Sequence, residues 1–305
     1  MAWPASSTTG CSLTSNGNAV VSLPVQAWSG PFDPSLSRTA TTALEAGRVV
    51  ILPDLAFRTR VEEEKLLSPD LLNGRRKNIS FDPATGRLGG SAAQADLLAA
   101  MLRRFAADAE TLLRGLLTPY TAELRVGRTS FRPAEIAGRT YAPRQDDRRL
   151  HVDAFPSRPT GGDRILRLFT NLSPTGQPRE WRIGGDFEPV AARFLPDLPS
   201  PSPSRARLYA LLGLTKGISS PYDQIMLALH NRMKLDTEYQ ASAPVTAWAF
   251  PPGTTWMGFT DQVPHAALAG HMAAEQTFYL PVRAMQDPDR SPLRVLERLT
   301  ERVLA

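Results

Sequence analysis

The chain has four histidines, and one of them stands in the tripeptide His151-Val152-Asp153. In an extended segment alternate side chains share a face, so this imidazole and this carboxylate project together into one space. Two adjacent metal ligands are the chemistry that the spacing offers, although such tripeptides also arise by chance as satisfied surface pairs. His265, in TWMGFTDQVPHAAL, adds a third donor from a segment that reads as strand, turn and strand. Two imidazoles and one carboxylate on one face of an octahedron leave the opposite positions open, which is the facial triad of non-haem Fe(II) oxygenases. Zinc more often takes Cys or a third His, and magnesium or calcium prefers oxygen donors. The competing reading of His265 is a core or turn histidine held by Asp261.

The other two histidines read differently. His230 falls beside the apolar stripe Ile225, Met226, Leu229 and Met233 in a helical pattern, which suits packing better than ligation. His271 follows Gly270 and reads as a turn residue. Cys11 is the one cysteine, so neither an intramolecular disulfide nor a thiolate zinc cluster is available.

The elements that must position these donors are legible in part. Residues 1–40 hold Gly, Ser, Pro and two Trp without a period and read as an N-terminal strap. A helical support region spans 41–128. It contains a short helix before the apolar run Val49 to Leu52 and one long amphipathic helix from Ala92 to Leu117, with Ser91 as its expected N-cap. From residue 129 short extended segments broken by Pro and Gly take over. Strands are expected at 129–136, 150–155, 164–172, 180–183, 246–250, 254–260, 265–269 and 275–282. A helical insert occupies 204–241, and 286–305 closes with a helix. The resulting fold class is α+β: one domain, residues 129–285 forming a jelly-roll (double-stranded β-helix, cupin-like) core flanked by helices.

Composition narrows the partners. The net charge is +5, and 31 of the 35 basic residues are Arg, whose planar fork suits carboxylates and phosphates. High genomic GC content would produce the same bias without function. The basic residues are dispersed and no reader motif is present, so nucleic acid is not expected as a partner. No run approaches the roughly 20 apolar residues of a membrane span, and the first thirty residues show neither a basic start nor an apolar block. A cytoplasmic location is expected.

Longer strings carry a resemblance. LHVDAFPSRP, RILRLFTNLSP, a Pro-Arg-x-Trp element, FPPGTTWMGFTDQVPHAAL and EQTFYLP resemble the Kdo hydroxylase family of Gram-negative bacteria, as do KNISFDPATGRLGG and YDQIMLALHNRMKLDTEYQ. The resemblance spans roughly residues 40–285. It implies an Fe(II)- and 2-oxoglutarate-dependent dioxygenase that uses O2 to hydroxylate the sugar acid Kdo at carbon 3, giving Ko, in the lipopolysaccharide inner core. The substrate would be Kdo-bearing lipid A or a lipopolysaccharide precursor, met by peripheral contact with the cytoplasmic face of the inner membrane. The resemblance places the iron on His151, Asp153 and His265, the same three residues.

Many members of the wider oxygenase superfamily hold the 2-oxoglutarate tail with an Arg about ten residues beyond the distal His, where this chain has Glu275 and Gln276. Arg164 and Arg167 are the candidate replacements. Alternation sends them to opposite faces, and Asn171 shares the face of Arg167, which favours Arg167. Tyr141 is a further candidate for the co-substrate, while Arg139, Arg144, Ser157 and Arg158 are candidates for the acidic sugar. Trp181 and Trp256 offer a stacking face or core. Two other function classes fit a cupin-like barrel: a metal-dependent isomerase or lyase acting on an acidic sugar, and a non-catalytic carbohydrate-binding jelly roll.

Overall fold

The computed structural model describes residues 19–72, 77–90 and 94–305; Cys11 and Ser91 lie outside them. Strand β1 (Val20–Ser22), helix α1 (Pro34–Glu45), strands β2 (Val49–Leu52), β3 (Ile79–Asp82) and β4 (Arg87–Gly89) and helix α2 (Ala95–Leu116) precede the barrel. Helix α1 has Asp33 as its N-cap, accepting from Ser35 N, with Pro34 at the first turn where its missing N–H is harmless. The strap reading therefore needs correction between residues 20 and 40. Val20–Ser22 is an edge strand parallel to β2, and α1 begins seven residues before Thr41.

Eight antiparallel positions make the jelly roll. Seven are strands: β5 (Arg125–Arg132), β6 (Arg164–Asn171), β7 (Arg179–Gly184), β8 (Val245–Phe250), β9 (Thr255–Phe259), β10 (His265–Ala269) and β11 (Ala273–Leu280). The eighth, around His151, is a single bridge to His265, shorter than the strand expected over 150–155. Sheet order is β1-β2-β9-β6-β11-β5-β3-β4 for the larger sheet and β10-β7-β8 for the smaller, which the His151 bridge extends. Helices α3 (Phe187–Phe194), α4 (Pro203–Leu211), α5 (Pro221–Leu235) and α6 (Thr237–Ser242) lie between β7 and β8, and α7 (Pro292–Thr300) follows the barrel. Sequence reading missed α3, whose two turns are too short for a clear period.

Strand β6 is buried along its whole length because both of its faces are covered. Leu166 and Leu168 join the core beneath α2, whose buried stripe includes Leu98, Met101, Phe105, Leu112 and Leu116. Phe169 points the other way, between the two sheets, with Trp181, Ile183, Phe250 and Trp256. Arg167 shares the parity of Phe169 and so enters the barrel, whereas Arg164 faces the helical side. No helix among the described residues is long and apolar enough to cross a membrane.

Candidate metal centre and active site

His151 and His265 are neighbours because their backbones exchange two hydrogen bonds, His151 N to His265 O at 3.0 Å and His265 N to His151 O at 2.8 Å. Asp153 N then donates to Thr260 O at 2.7 Å, fixing the next residue but one on the same face. One ligand atom from each of His151, Asp153 and His265 falls within 4.8 Å of the others, and all three residues are buried. Each histidine uses Nδ1 on a carbonyl: His151 with Arg149 O at 2.7 Å, His265 with Val263 O at 2.8 Å. That fixes Nδ1 as the protonated nitrogen and leaves Nε2 as a lone pair, the arrangement in which imidazoles bind metals. Burial lowers the pKa of both rings, and the adjacent His265 lowers that of His151 further, so both are neutral.

Asp153 is the anionic member. Burial alone would raise its pKa; the Arg167 guanidinium beside it outweighs burial and holds it well below the usual carboxylate range. Its Oδ2 is buried and faces Arg167 Nε at 3.2 Å as an ion pair, without hydrogen-bond geometry. A buried carboxylate compensated by a single guanidinium, beside two unprotonated nitrogens, fits a divalent cation. Asp261 does not hold His265. It receives Arg164, Nε to Oδ2 at 2.7 Å, in a wholly buried pair completed by Gln262.

The three side chains open into a cavity of about 330 Å³. Seven Lys and Arg side chains line it against five carboxylates, so it suits anions. Arg167 bridges Asp153 Oδ2 and Glu275 Oε1, both at 3.2 Å. Arg132 takes the other oxygen of Glu275, Nε to Oε2 at 2.9 Å. Arg179 differs: it is buried, donates NH1 to Gly270 O at 3.0 Å and forms no ion pair among the described residues. Burial and the neighbouring Arg132 lower its pKa to about 10, so it remains a cation at neutral pH. Gly270 makes this contact possible. Its φ is +102°, and a Cβ there would lie 2.8 Å from Pro178 O.

The other sequence candidates divide cleanly. Arg139, Tyr141 and Arg144 line the cavity, with Arg139 NH1 donating to the Tyr141 hydroxyl at 3.0 Å. Arg164 faces away, occupied by Asp261. Asn171 shares the parity of Arg167 but uses its amide on Gln177 O, Phe250 O and Ser173 N, outside the cavity lining. Ser157 and Arg158 also lie off the lining. Trp256 is core, and Trp181 stacks on the His265 ring rather than offering a free face. Sequence reading missed Arg132, Arg179, Lys77, Lys234 and Asp147. Three of these lie in the family-like strings: Arg179 in Pro-Arg-x-Trp, Lys77 in KNISFDPATGRLGG and Lys234 in YDQIMLALHNRMKLDTEYQ. His230, expected to pack, does so against the site: its ring lies 5.0 Å from that of His151, and its Nδ1 meets Val152 O at 2.7 Å.

The family profile for 3-deoxy-D-manno-oct-2-ulosonic acid (Kdo) hydroxylase matches residues 27–303. The chain belongs to the Kdo hydroxylase family. It is also similar to solved structures of the Kdo hydroxylase KdoO, a non-haem Fe(II) α-ketoglutarate-dependent dioxygenase. The complex with α-ketoglutarate and Fe(III) is 44% identical, with TM-score 0.90, covering 94% of this chain and 97% of that one. The cobalt(II) complex gives 44% and 0.91 at the same coverage. The apo form gives 44% and 0.90, covering 93% and 97%. Comparison with curated protein sequences returns no significant match. The jelly roll expected from the strand pattern is thus the architecture of a Kdo hydroxylase.

Proposed function

We propose that this member of the Kdo hydroxylase family hydroxylates Kdo at carbon 3, consuming 2-oxoglutarate and O2 and using Fe(II) held by His151, Asp153 and His265. The observation that carries the reading is the buried His-Asp-His cluster, two rings fixed as Nε2 donors beside a buried carboxylate, at the wall of a cationic cavity. Bound iron with its co-substrate supplies the oxidising power. The chain's own residues bind, orient and exclude water.

Two anions must share the cavity, the dicarboxylate co-substrate and the sugar acid. Arg167 already compensates Asp153 and Glu275, and its role in this reading is to orient the Asp153 carboxylate. Arg179 has no anionic partner among the described residues, and a buried guanidinium in that state is better satisfied by a carboxylate than by one carbonyl. We therefore assign the distal carboxylate of 2-oxoglutarate to Arg179 rather than to Arg167. Arg139, Tyr141 and Arg144, nearer the rim, receive the Kdo carboxylate and hydroxyls. The substrate in this reading is Kdo carried on lipid A or a lipopolysaccharide precursor.

The test is direct. Purified protein with Fe(II), ascorbate, 2-oxoglutarate and Kdo-bearing lipid A should yield succinate and a sugar one oxygen heavier at carbon 3 by mass spectrometry. Turnover of the sugar without O2 would instead identify a metal-dependent isomerase.

A further inference from the structure

We infer that residues 203–218 dock the protein on an anionic lipid bilayer, with the catalytic cavity opening on the same face; the inference rests on the lipid-borne Kdo reading above. Helix α4 and the turn after it bury Ala206 and Thr215 and little else. Leu211 is 84% exposed, Leu212 61%, Leu214 58% and Ile218 62%, with Leu208 at 50%. So many large aliphatic side chains on one short projection are unusual for a surface that meets only water. Leu208, Leu211 and Leu212 stand at i, i+3 and i+4, on one side of the helix.

The charges within the segment itself have one sign, although Asp197 and Asp223 line the neighbouring groove with Arg205 and Leu214. Arg205, Arg207 and Lys216 are exposed, and there is no Asp or Glu between Asp197 and Asp223. None of the three cations is in an ion pair among the described residues. Basic residues flanking exposed aliphatics are the pattern of a segment that lies in the headgroup layer, its cations on phosphates and its apolar side chains against the acyl boundary.

The projection is tied to the active site. Lys216 N donates to Ser157 O at 2.9 Å, two residues beyond the cavity-lining Phe155. Between it and α5 lies a largely apolar groove of about 710 Å³, lined by Leu198, Leu214 and Leu227 among others, which shares Arg144 and Phe155 with the His-Asp-His cavity. A sugar at the metal and a lipid anchor in the bilayer would therefore be on one side of the molecule.

Co-sedimentation of the full chain with vesicles tests this. Wild type should bind 3:1 phosphatidylethanolamine–phosphatidylglycerol vesicles, bind phosphatidylcholine vesicles weakly, and dissociate as salt is raised. The variant Arg205→Gln/Arg207→Gln/Lys216→Gln should lose roughly a hundredfold in partitioning, about fivefold for each charge. Leu208→Ser/Leu211→Ser/Leu212→Ser should lose at least tenfold. Both variants should keep wild-type melting curves and wild-type turnover of detergent-dispersed substrate, because the altered side chains are exposed. Wild type that ignores anionic vesicles, or variants that bind as wild type does, would overturn the inference. So would sedimentation velocity showing a wild-type dimer, monomeric variants and no vesicle binding, which would give the face to a second copy. Vesicle binding by a protein that leaves every Kdo substrate unmodified would instead remove the functional reading and leave the docking face standing.

Discussion

The indole of Trp181 lies stacked on the ring of His265, centroids 5.2 Å apart and planes 23° from parallel. With Nδ1 held by Val263 O, the ring is gripped by a hydrogen bond on one edge and an aromatic surface on one face. Trp181 also packs edge-on against Phe169, Phe250 and Trp256, so the grip is itself anchored in the core between the sheets.

Replacing Trp181 with Ala should therefore weaken metal binding without touching a ligand. Groups that orient a metal-bound histidine are worth about 10–100-fold in affinity, and a buried Trp→Ala change costs about 3–5 kcal/mol of stability. Co(II) titration of Trp181→Ala should fall in that range, and Trp181→Phe should recover most of it. Equal affinity in wild type and Trp181→Ala would show that the hydrogen bond to Val263 suffices.

Alanine at His151, Asp153 or His265 should abolish turnover and sharply reduce Fe(II) and Co(II) binding. Stoichiometric metal in the triple alanine variant, measured by elemental analysis, would place the metal elsewhere.

Arg179→Ala should raise the dissociation constant for 2-oxoglutarate thirtyfold or more, since truncating one partner of a buried charge pair costs about 2–5 kcal/mol. Arg179→Lys should recover only part, because an ammonium cannot offer the two-pronged fork. Arg167→Ala should act chiefly on metal affinity through Asp153. A large 2-oxoglutarate effect for Arg167→Ala with Arg179→Ala near wild type would reverse the assignment. Arg164→Ala should leave 2-oxoglutarate binding intact and lower stability, since it strands Asp261.

Asp147 sits among three cations, Arg132 at 3.7 Å, Lys234 at 3.2 Å and Lys77 at 3.3 Å. Burial would raise its pKa, but Arg132, Lys234 and Lys77 overcome this and hold it well below the ordinary range. A depressed carboxylate pKa contributes stability that is fully present above the unfolded value near 4 and is lost as pH falls below it. Asp147→Asn should therefore melt earlier than wild type at pH 7, and the gap should narrow steadily below about pH 4. A gap of constant width down to pH 3 would mean that packing, not charge, is what the substitution removes.

The residues legible in the sequence were those whose placement depends on local period. His151 and Asp153 share a face because alternation is a property of any strand, and the same rule separated Arg164 from Arg167. Which of the two entered the barrel depended on the order of β9, β6 and β11, which pairs residues nearly a hundred positions apart. Arg179 is not distinguishable by local pattern, because what sets it apart is the lack of a carboxylate partner among the described residues and a carbonyl from the Gly270 turn, 91 residues on. Asn171 is the converse case. Its parity was right, but the carbonyls of Gln177 and Phe250 claimed its amide.

The bridge between His151 and His265 has a bearing on how the site comes into being. A ribosome adding roughly 5–20 residues per second completes the stretch from His151 to His265 in about 6–20 s. Throughout that interval His151 and Asp153 exist without their third partner and without the strand that holds them apart from water. Closing a loop of that length costs entropy before the contacts that reward it can form, and on the proposed ligand assignment two early residues alone would hold a metal weakly. If these three residues hold the iron, the ligand set is complete only when the strand carrying His265 pairs with the His151 segment, and a redox-active ion would gain its full site only in a folded chain.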